Sequence, residues 1–412
     1  MSLLEAYAAI AGADVTAHLE QLAVPLAGKR VVHVNSTRLG GGVAEILTKL
    51  VPLMRTLGID ASWEVMEAER NFFDCSKAMH NGLQGNRVLL SDAASRTYET
   101  TNAQNAERLR DALEQADFVF IHDPQPAAIL NYCPNRRGKW IWRCHIDASH
   151  SDRHVWRYLR TFVAPYDASV FSLAAFAKEL PHPQYIVPPS IDPLGDKNVD
   201  LDAAEVEAVR RQFDLDPERP LIAQISRFDR FKDPLGVIRA HRLVKEFLPS
   251  VQLVLAGGGA DDDPEGEAVL EEVRAAAESD ADVHVLLLPP DANRTVNALQ
   301  RAADVVLQKS IREGFGLTVT EALWKAKPVV GGNVGGIRLQ VINHYTGFAV
   351  NTSEGAALRI RYLLHHPEER RRIGETARTF VRDNFLITRH LREYLTLMVA
   401  LLYNAQERVE LE

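Results

Sequence analysis

Short apolar runs rich in valine, isoleucine and phenylalanine alternate with segments of helical period, and this alternation occurs twice along the chain. The first set is "RVVHVNS" (30 to 36), "ASWEVM" (61 to 66), "DFVFIHD" (117 to 123), "KWIWRCHI" (139 to 146) and "ASVFSL" (168 to 173). The second is "LIAQIS" (221 to 226), "VQLVLAGGG" (251 to 259), "VHVLLLP" (283 to 289), "DVVLQKS" (304 to 310), "PVVGG" (328 to 332) and "GFAV" (347 to 350). Hydrophobicity within the runs is continuous rather than alternating, which marks strands buried on both faces, as in a parallel sheet with helices on either side. Between the sets, "PHPQYIVPPSIDP" (181 to 193) carries five prolines, a density that stops helices and central strands and so predicts a domain linker. Two doubly wound α/β domains are predicted, with ligands at the carboxyl ends of the strands.

A chain of 412 residues can bury two cores of this kind. Its formal net charge of −8 argues against nucleic acid or an anionic lipid surface as partner and in favour of small molecules. The three cysteines, Cys75, Cys133 and Cys144, lack CxxC spacing, which speaks against a disulfide framework or a zinc site and predicts a cytoplasmic setting. "MSLLEAYAAIAGADV" has no basic lead-in, and no apolar run approaches the ~20 residues that span a bilayer, so neither export nor membrane insertion is expected. The last forty residues read as helical. "HPEERRRIGETAR" (366 to 378) reads as a solvated helix face, and "DDDPEGE" (261 to 267) as a surface loop.

Three stretches carry chemistry. In "NSTRLGGGVAEIL" (35 to 47) the glycines follow the first strand and open a helix, where backbone amides can approach a phosphate or sugar; a tight structural turn explains them equally well. Without a full GxGxxG or a clear acid ending the second strand, a nicotinamide site is not supported. In "SRFDRFKDP", Arg227 and Lys232 come just after a strand, where two cations can neutralise a diphosphate without a metal; the plain alternative is an exposed basic loop. In "SIREGFGLTVTEALWKAKPVVGG" (310 to 332), Gly314 and Gly316 leave Glu313 in a loop and start a helix near Leu317 to Thr318. Thr318 and Glu321 fit a capping box, T-x-x-E. A loop carboxylate beside helix N-terminal amides suits a ligand with both hydroxyls and a phosphate, as a sugar nucleotide has. In "CHIDASHSDRH" (144 to 154), His150 and His154 would share a face if helical, a spacing that can bind metal; lining of the cleft mouth is the simpler expectation, and no metal is predicted. Trp140 and Trp142 read as core, with Trp156 able to reach a sugar face.

The E-x7-E pattern of "EGFGLTVTE", the basic pair of "RFDRFK" and the "GGG" turn resemble the retaining GT-B glycosyltransferases that use nucleotide sugars. Longer strings ("HVNSTRLGGGVAEIL", "LVPLM", "FFDCSKAMHNGLQG", "FIHDPQP", "WRCHID", "RFDRFKDP" and "REGFGLTVTEALWKAKPVV") resemble one subgroup, the trehalose glycosyl-transferring synthases and the related trehalose phosphorylases, from about Val31 to the last helices. The resemblance implies a GT-B fold with two Rossmann-like domains facing a central cleft. Residues 1–188 would form the acceptor domain, 189–385 the donor domain, and a C-terminal helix from about 386 to 412 would pack back on the first. It implies transfer of glucose from a nucleoside-diphosphate glucose to glucose, giving trehalose reversibly, with no cofactor required, Mg2+ not called for, and a homodimer suggested.

Site roles follow from the same resemblance. Glu313 would contact donor-sugar hydroxyls, with amides of Gly314, Phe315, Gly316 and Leu317 nearby, and Glu321 would hold the ribose. Arg227 and Lys232 would hold the diphosphate, and Gly41 and Gly42 would border it from the other domain. His145 would lie under the reacting sugar and count, with Glu313, Arg227 and Lys232, among the catalytic residues. Asp123, Asn35, Gln125 and Asp147 would face the acceptor. The loop departs from the wider superfamily in reading Lys232-Asp233-Pro234 where K-G is common. The rival expectations are a trehalose phosphorylase, which would not need Glu321, and a non-catalytic nucleotide-sugar sensor.

Overall fold

The computed structural model describes residues 2–38, 41–258 and 264–403. The chain forms two compact units: residues up to Ser190 together with the segment from Ile387 onward, and Ile191–Leu386.

The first unit is built on β1 (Arg30–Asn35), β2 (Asp60–Val65), β3 (Phe118–His122), β4 (Lys139–Cys144), β5 (Ala168–Phe171) and β6 (Gln184–Ile186). All pair in parallel, in the order β2-β1-β3-β4-β5-β6. Every residue of β3 is buried, as a central strand covered on both faces requires. One face packs Val32, Val34, Val119, Ile121, Trp140 and Trp142 into a single core. On the other, His33 stacks on Phe120 and Phe120 stacks on Tyr394 of the helix Ile387–Leu402.

The second unit repeats the plan with β7 (Leu221–Ile225), β8 (Gln252–Gly257), β9 (Val283–Leu287), β10 (Val305–Gln308), β11 (Val329–Gly332) and β12 (Gly347–Val350). Its order is β12-β11-β10-β7-β8-β9, again parallel throughout. Ile222, Leu253, Val305, Leu307, Val330 and Phe348 belong to its core.

Eleven of the twelve strands coincide with the apolar runs read from the sequence. The exception is β6, which lies inside the proline-rich segment expected to be linker throughout. It is three residues long and lies at the sheet edge, where prolines on either side of "QYI" remove no ladder hydrogen bond from a central strand. The acidic stretch "DDDPEGE" also departs from expectation: residues 261–263 lie outside the described residues, and from Pro264 the chain is helix, not loop.

Candidate active site

In a parallel sheet all loops that follow strands emerge on one edge, and neighbouring strands place their loops side by side. Because β7 and β10 are neighbours, the loops after them meet, although Lys232 and Glu313 are 81 residues apart. The Lys232 ammonium donates to both carboxylate oxygens of Glu313, at 2.8 and 2.7 Å, and these side chains are only 18% and 9% exposed. Ser310 Oγ donates to the same carboxylate at 3.1 Å. Charged and hydrogen-bonded on two sides, Glu313 is held in one orientation.

The two cations of the basic loop are not equivalent. Lys232 ends a short 3-10 turn, Arg230–Lys232, that Asp229 caps through the Phe231 amide at 2.7 Å, and its carbonyl accepts from Gln224 Nε2 on β7 at 3.2 Å. Arg227 is 65% exposed, and its ion pair among the described residues is with Asp229, at 3.6 Å. Asp233 adopts φ 49°, a left-handed conformation natural to glycine, which explains why glycine is at home here. Its carboxylate caps the helix Pro234–Lys245 through the Gly236 amide at 3.1 Å and pairs with buried Lys309.

The helix Leu317–Trp324 begins at Gly316, whose φ of 84° turns the chain out of the loop, and no side chain among the described residues caps it. Thr318 therefore lies inside the first turn, and its hydroxyl reaches Gln308 Oε1 at 3.5 Å; the expected Thr318–Glu321 capping box is not formed, since glycine occupies the capping position. The Val319 and Thr320 N–H groups donate back to Gly316 O, at 3.0 and 3.5 Å, while those of Leu317 and Thr318 stand at the helix start, where the helix itself offers no acceptor and an anion can be held. Gln340 fixes the loop by donating to Phe315 O at 2.7 Å, while Gly336 N donates to Gly314 O at 3.1 Å. Phe315 is buried against Phe385, so its ring anchors the loop. Glu321 is 2% exposed, and its carbonyl accepts from the buried ammonium of Lys325 at 3.1 Å. Burial pulls Lys325 down to about 7, with the Glu321 charge acting in the opposite direction.

In the first unit, Asp123 follows β3 with φ 64°, and its backbone is clamped: its amide donates to Arg143 O at 2.8 Å and its carbonyl accepts from Trp142 Nε1 at 3.0 Å. Tyr98 and Asn102 hold the next two carbonyls, of Pro124 and Gln125, at 2.6 and 3.1 Å. The Asp123 carboxylate accepts from the His145 amide at 2.7 Å, so these two predicted residues are in direct contact. Burial pushes the Asp123 carboxyl up to about 7, against the opposing effects of that amide and of Arg143. Asp147 is turned to its own loop, accepting from Ser149 N and Oγ at 3.0 and 2.5 Å. Asn35, 3% exposed, is likewise engaged: Oδ1 accepts from Trp63 Nε1 and Nδ2 donates to Thr37 O, both at 2.7 Å. Gly41 and Gly42 open the helix Gly42–Thr56, while residues 39–40 of the glycine run lie outside the described residues.

The helical pairing of His150 with His154 does not form. The helix Arg153–Val163 starts after His150, and Asp152 is its cap, accepting from the His154 and Val155 amides at 2.9 and 3.1 Å. Trp140 and Trp142 are fully buried; Trp156 is tilted against Trp142 beneath the Lys178 ammonium. Ser310 and Gln340, which orient Glu313 and its loop, carry no motif signal in the sequence.

Comparison with known proteins agrees with this architecture. Residues 33–178 match the family model described as trehalose synthase, N-terminal domain, and residues 205–380 match glycosyl transferases group 1. A trehalose synthase from Pyrococcus horikoshii is 46% identical over 97% of this chain and 96% of its own length. A trehalose phosphorylase from Pleurotus pulmonarius is 27% identical over 99% of this chain but only 62% of its own. Among solved structures, a UDP-forming α,α-trehalose-phosphate synthase from Burkholderia xenovorans superposes with TM-score 0.73 at 15% identity, covering 91% of this chain and 99% of that one. The fold is GT-B, and with sequence identity of this extent to an enzyme of matching length, the chain belongs to the trehalose synthase family of glycosyltransferases.

Proposed function

We propose that this chain is a retaining hexosyltransferase that moves glucose from a nucleoside-diphosphate glucose onto glucose, forming trehalose reversibly. The observation that carries the reading is the carboxylate of Glu313, fixed by Lys232 and Ser310 beside the uncapped start of the Leu317–Trp324 helix. A sugar with hydroxyls and a phosphate matches those two features: the carboxylate accepts from hydroxyls and the helix amides hold the anion. In this reading Lys232 and Arg227 serve the diphosphate, Glu321 the ribose and Asp123 the acceptor, while His145 lies under the reacting sugar. The acceptor hydroxyl oxygen bonds to the anomeric carbon as the bond from that carbon to the phosphate oxygen breaks, and the hydroxyl proton passes to the departing diphosphate. The protein contributes positioning and charge stabilisation of the leaving group.

The test is to incubate purified protein and trehalose with each nucleoside diphosphate in turn, and separately with inorganic phosphate, then resolve the products. A nucleoside-diphosphate glucose with free glucose is expected, and the productive arm names the base. Glucose 1-phosphate from the phosphate arm would instead make the enzyme a phosphorylase, and silence in every arm would remove the trehalose assignment.

A further inference from the structure

Behind His145 the sheet carries two more histidines. His33 lies in β1 opposite Phe120, His122 ends β3 opposite Arg143, and His145 follows β4, so the three rings climb one face of the sheet toward its carboxyl edge. Their nitrogens are in series. His33 Nδ1 lies 3.0 Å from His122 Nε2, and His122 Nδ1 lies 3.0 Å from His145 Nε2. His33 and His122 are buried, and His145 is half-buried at the edge. Burial holds all three well below the ordinary histidine range, His33 at about 3, and Arg143 pushes His122 and His145 further in the same direction.

Three neutral imidazoles own three N–H groups. Each of the two nitrogen–nitrogen contacts uses one, so the third must sit at an end of the series, on His33 Nε2 or on His145 Nδ1. His33 Nε2 is buried and has no hydrogen-bond partner among the described residues. Its ring lies nearly parallel to Phe120 and Tyr394, at 15° and 9°, so an in-plane N–H would point at neither aromatic face. Orphaned buried N–H groups are rarer than under-used acceptors, which favours a bare His33 Nε2.

We infer that His33 and His122 are positioning residues that lock His145 as its Nδ1–H tautomer, so that the ring presents a hydrogen-bond donor to an oxygen of the bound sugar. This rests on the reading of the first unit as a sugar site. The direction of the series is opposite to the preference of free histidine in water, where the Nε2–H form is the more populated, so the default and the inferred state are distinguishable.

The experiment is 15N NMR of the full, ligand-free chain labelled at histidine, near pH 7. Protonated and bare imidazole nitrogens separate widely in shift, and the His145 signals are those lost in His145→Gln. The expected result is a protonated Nδ1 and a bare Nε2 on His145, with 15N–15N couplings across both hydrogen bonds. In His33→Phe, which keeps the ring stack but removes the first donor, the His33–His122 coupling is lost and His145 shifts toward the Nε2–H form. A bare His145 Nδ1 in the wild-type spectrum overturns the inference, as does an unchanged His145 in His33→Phe. Should that variant fail to fold, the wild-type spectrum decides alone. Both spectra are recorded without ligand, so a failure of trehalose formation tells against the functional reading and leaves the tautomer result to be judged on its own.

Discussion

The Lys232–Glu313 pair predicts a coupled response to mutation. Removing one partner of a fully buried ion pair costs about 3–5 kcal/mol, whereas an exposed pair contributes about 0–1 kcal/mol. With side chains 18% and 9% exposed, this pair lies nearer the buried case, and Ser310 remains to satisfy part of the carboxylate in Lys232→Met. We expect Lys232→Met and Glu313→Gln each to destabilise the second unit by about 2 kcal/mol, which for a unit of about 200 residues lowers its midpoint by about 4–8 °C. The double variant removes both charges together and should fall short of the sum by about 1–2 kcal/mol. Trp324 is the one tryptophan between residues 191 and 386 and is buried, so its fluorescence reports this unit, while the other four tryptophans report the first. Turnover should follow the same pattern, with Lys232→Met more damaging than Arg227→Ala, because Arg227 is exposed and paired at 3.6 Å with Asp229 rather than with the Glu313 carboxylate. Additivity of the two single variants within about 0.5 kcal/mol would refute the reasoning, since the side chains would then act independently.

Three further outcomes are expected. The folded protein holds the Asp123 carboxyl at about 7 against about 3.9 unfolded, so its protonated form favours the fold; that contribution is complete below about pH 4 and is lost as pH rises through about 7. Asp123→Asn keeps an acceptor for the His145 amide and tolerates φ 64°, so urea midpoints of variant and wild type should diverge in the variant's favour from pH 4.5 to 7.5; parallel curves would show that Asp123 titrates normally. Gly335→Ala places a methyl 1.7 Å from Glu313 O at φ 43° and should cost about 1–3 kcal/mol or more and abolish donor binding, whereas Gly28→Ala, with nothing within 4 Å, should leave donor KM unchanged; equal KM values in calorimetry-matched samples would rule out the loop displacement. Glu321→Ala should raise donor KM roughly 10–100-fold, the worth of a charge-assisted hydrogen bond, with kcat nearly constant in initial-rate assays, and a dispensable Glu321 would favour a phosphorylase.

The strands were legible because burial on both faces leaves an apolar run that no other element of that length explains, as "FVFIH" and "LIAQI" show. Where local chemistry competes, the sequence was a poorer guide. "QYI" lies among prolines whose cost vanishes at a sheet edge, and Thr318–Glu321 has capping spacing but sits two positions too far along, because Gly316 already supplies the turn. Arg227 and Lys232 read alike as cations after one strand; only the neighbouring loop shows that one is turned inward onto a carboxylate and the other outward to solvent. His33 and His122 stand within the runs "RVVHVNS" and "DFVFIHD" without a motif of their own, since nothing in a linear pattern reports a 3.0 Å contact between residues 89 apart.

Strand order also explains why the candidate residues are scattered through the sequence yet few in kind. Each follows, or ends, a central strand of its sheet: Asn35 ends β1, Asp123 follows β3 and His145 follows β4, while Lys232 follows β7 and Glu313 follows β10. Those strands are mutual neighbours, β1-β3-β4 in one sheet and β10-β7 in the other, so parallel pairing alone brings their ends together. What pairing cannot supply is orientation, and there each unit adds buried polar groups. Ser310 and Lys232 aim Glu313, and Gln340 holds its loop; Trp142, Tyr98 and Asn102 clamp Asp123 and the two residues after it. Because such groups are costly to bury and satisfied only in one arrangement, each loop is fixed before any ligand arrives, which is the condition for charge and hydrogen bonding to act at a reacting centre without reorganisation.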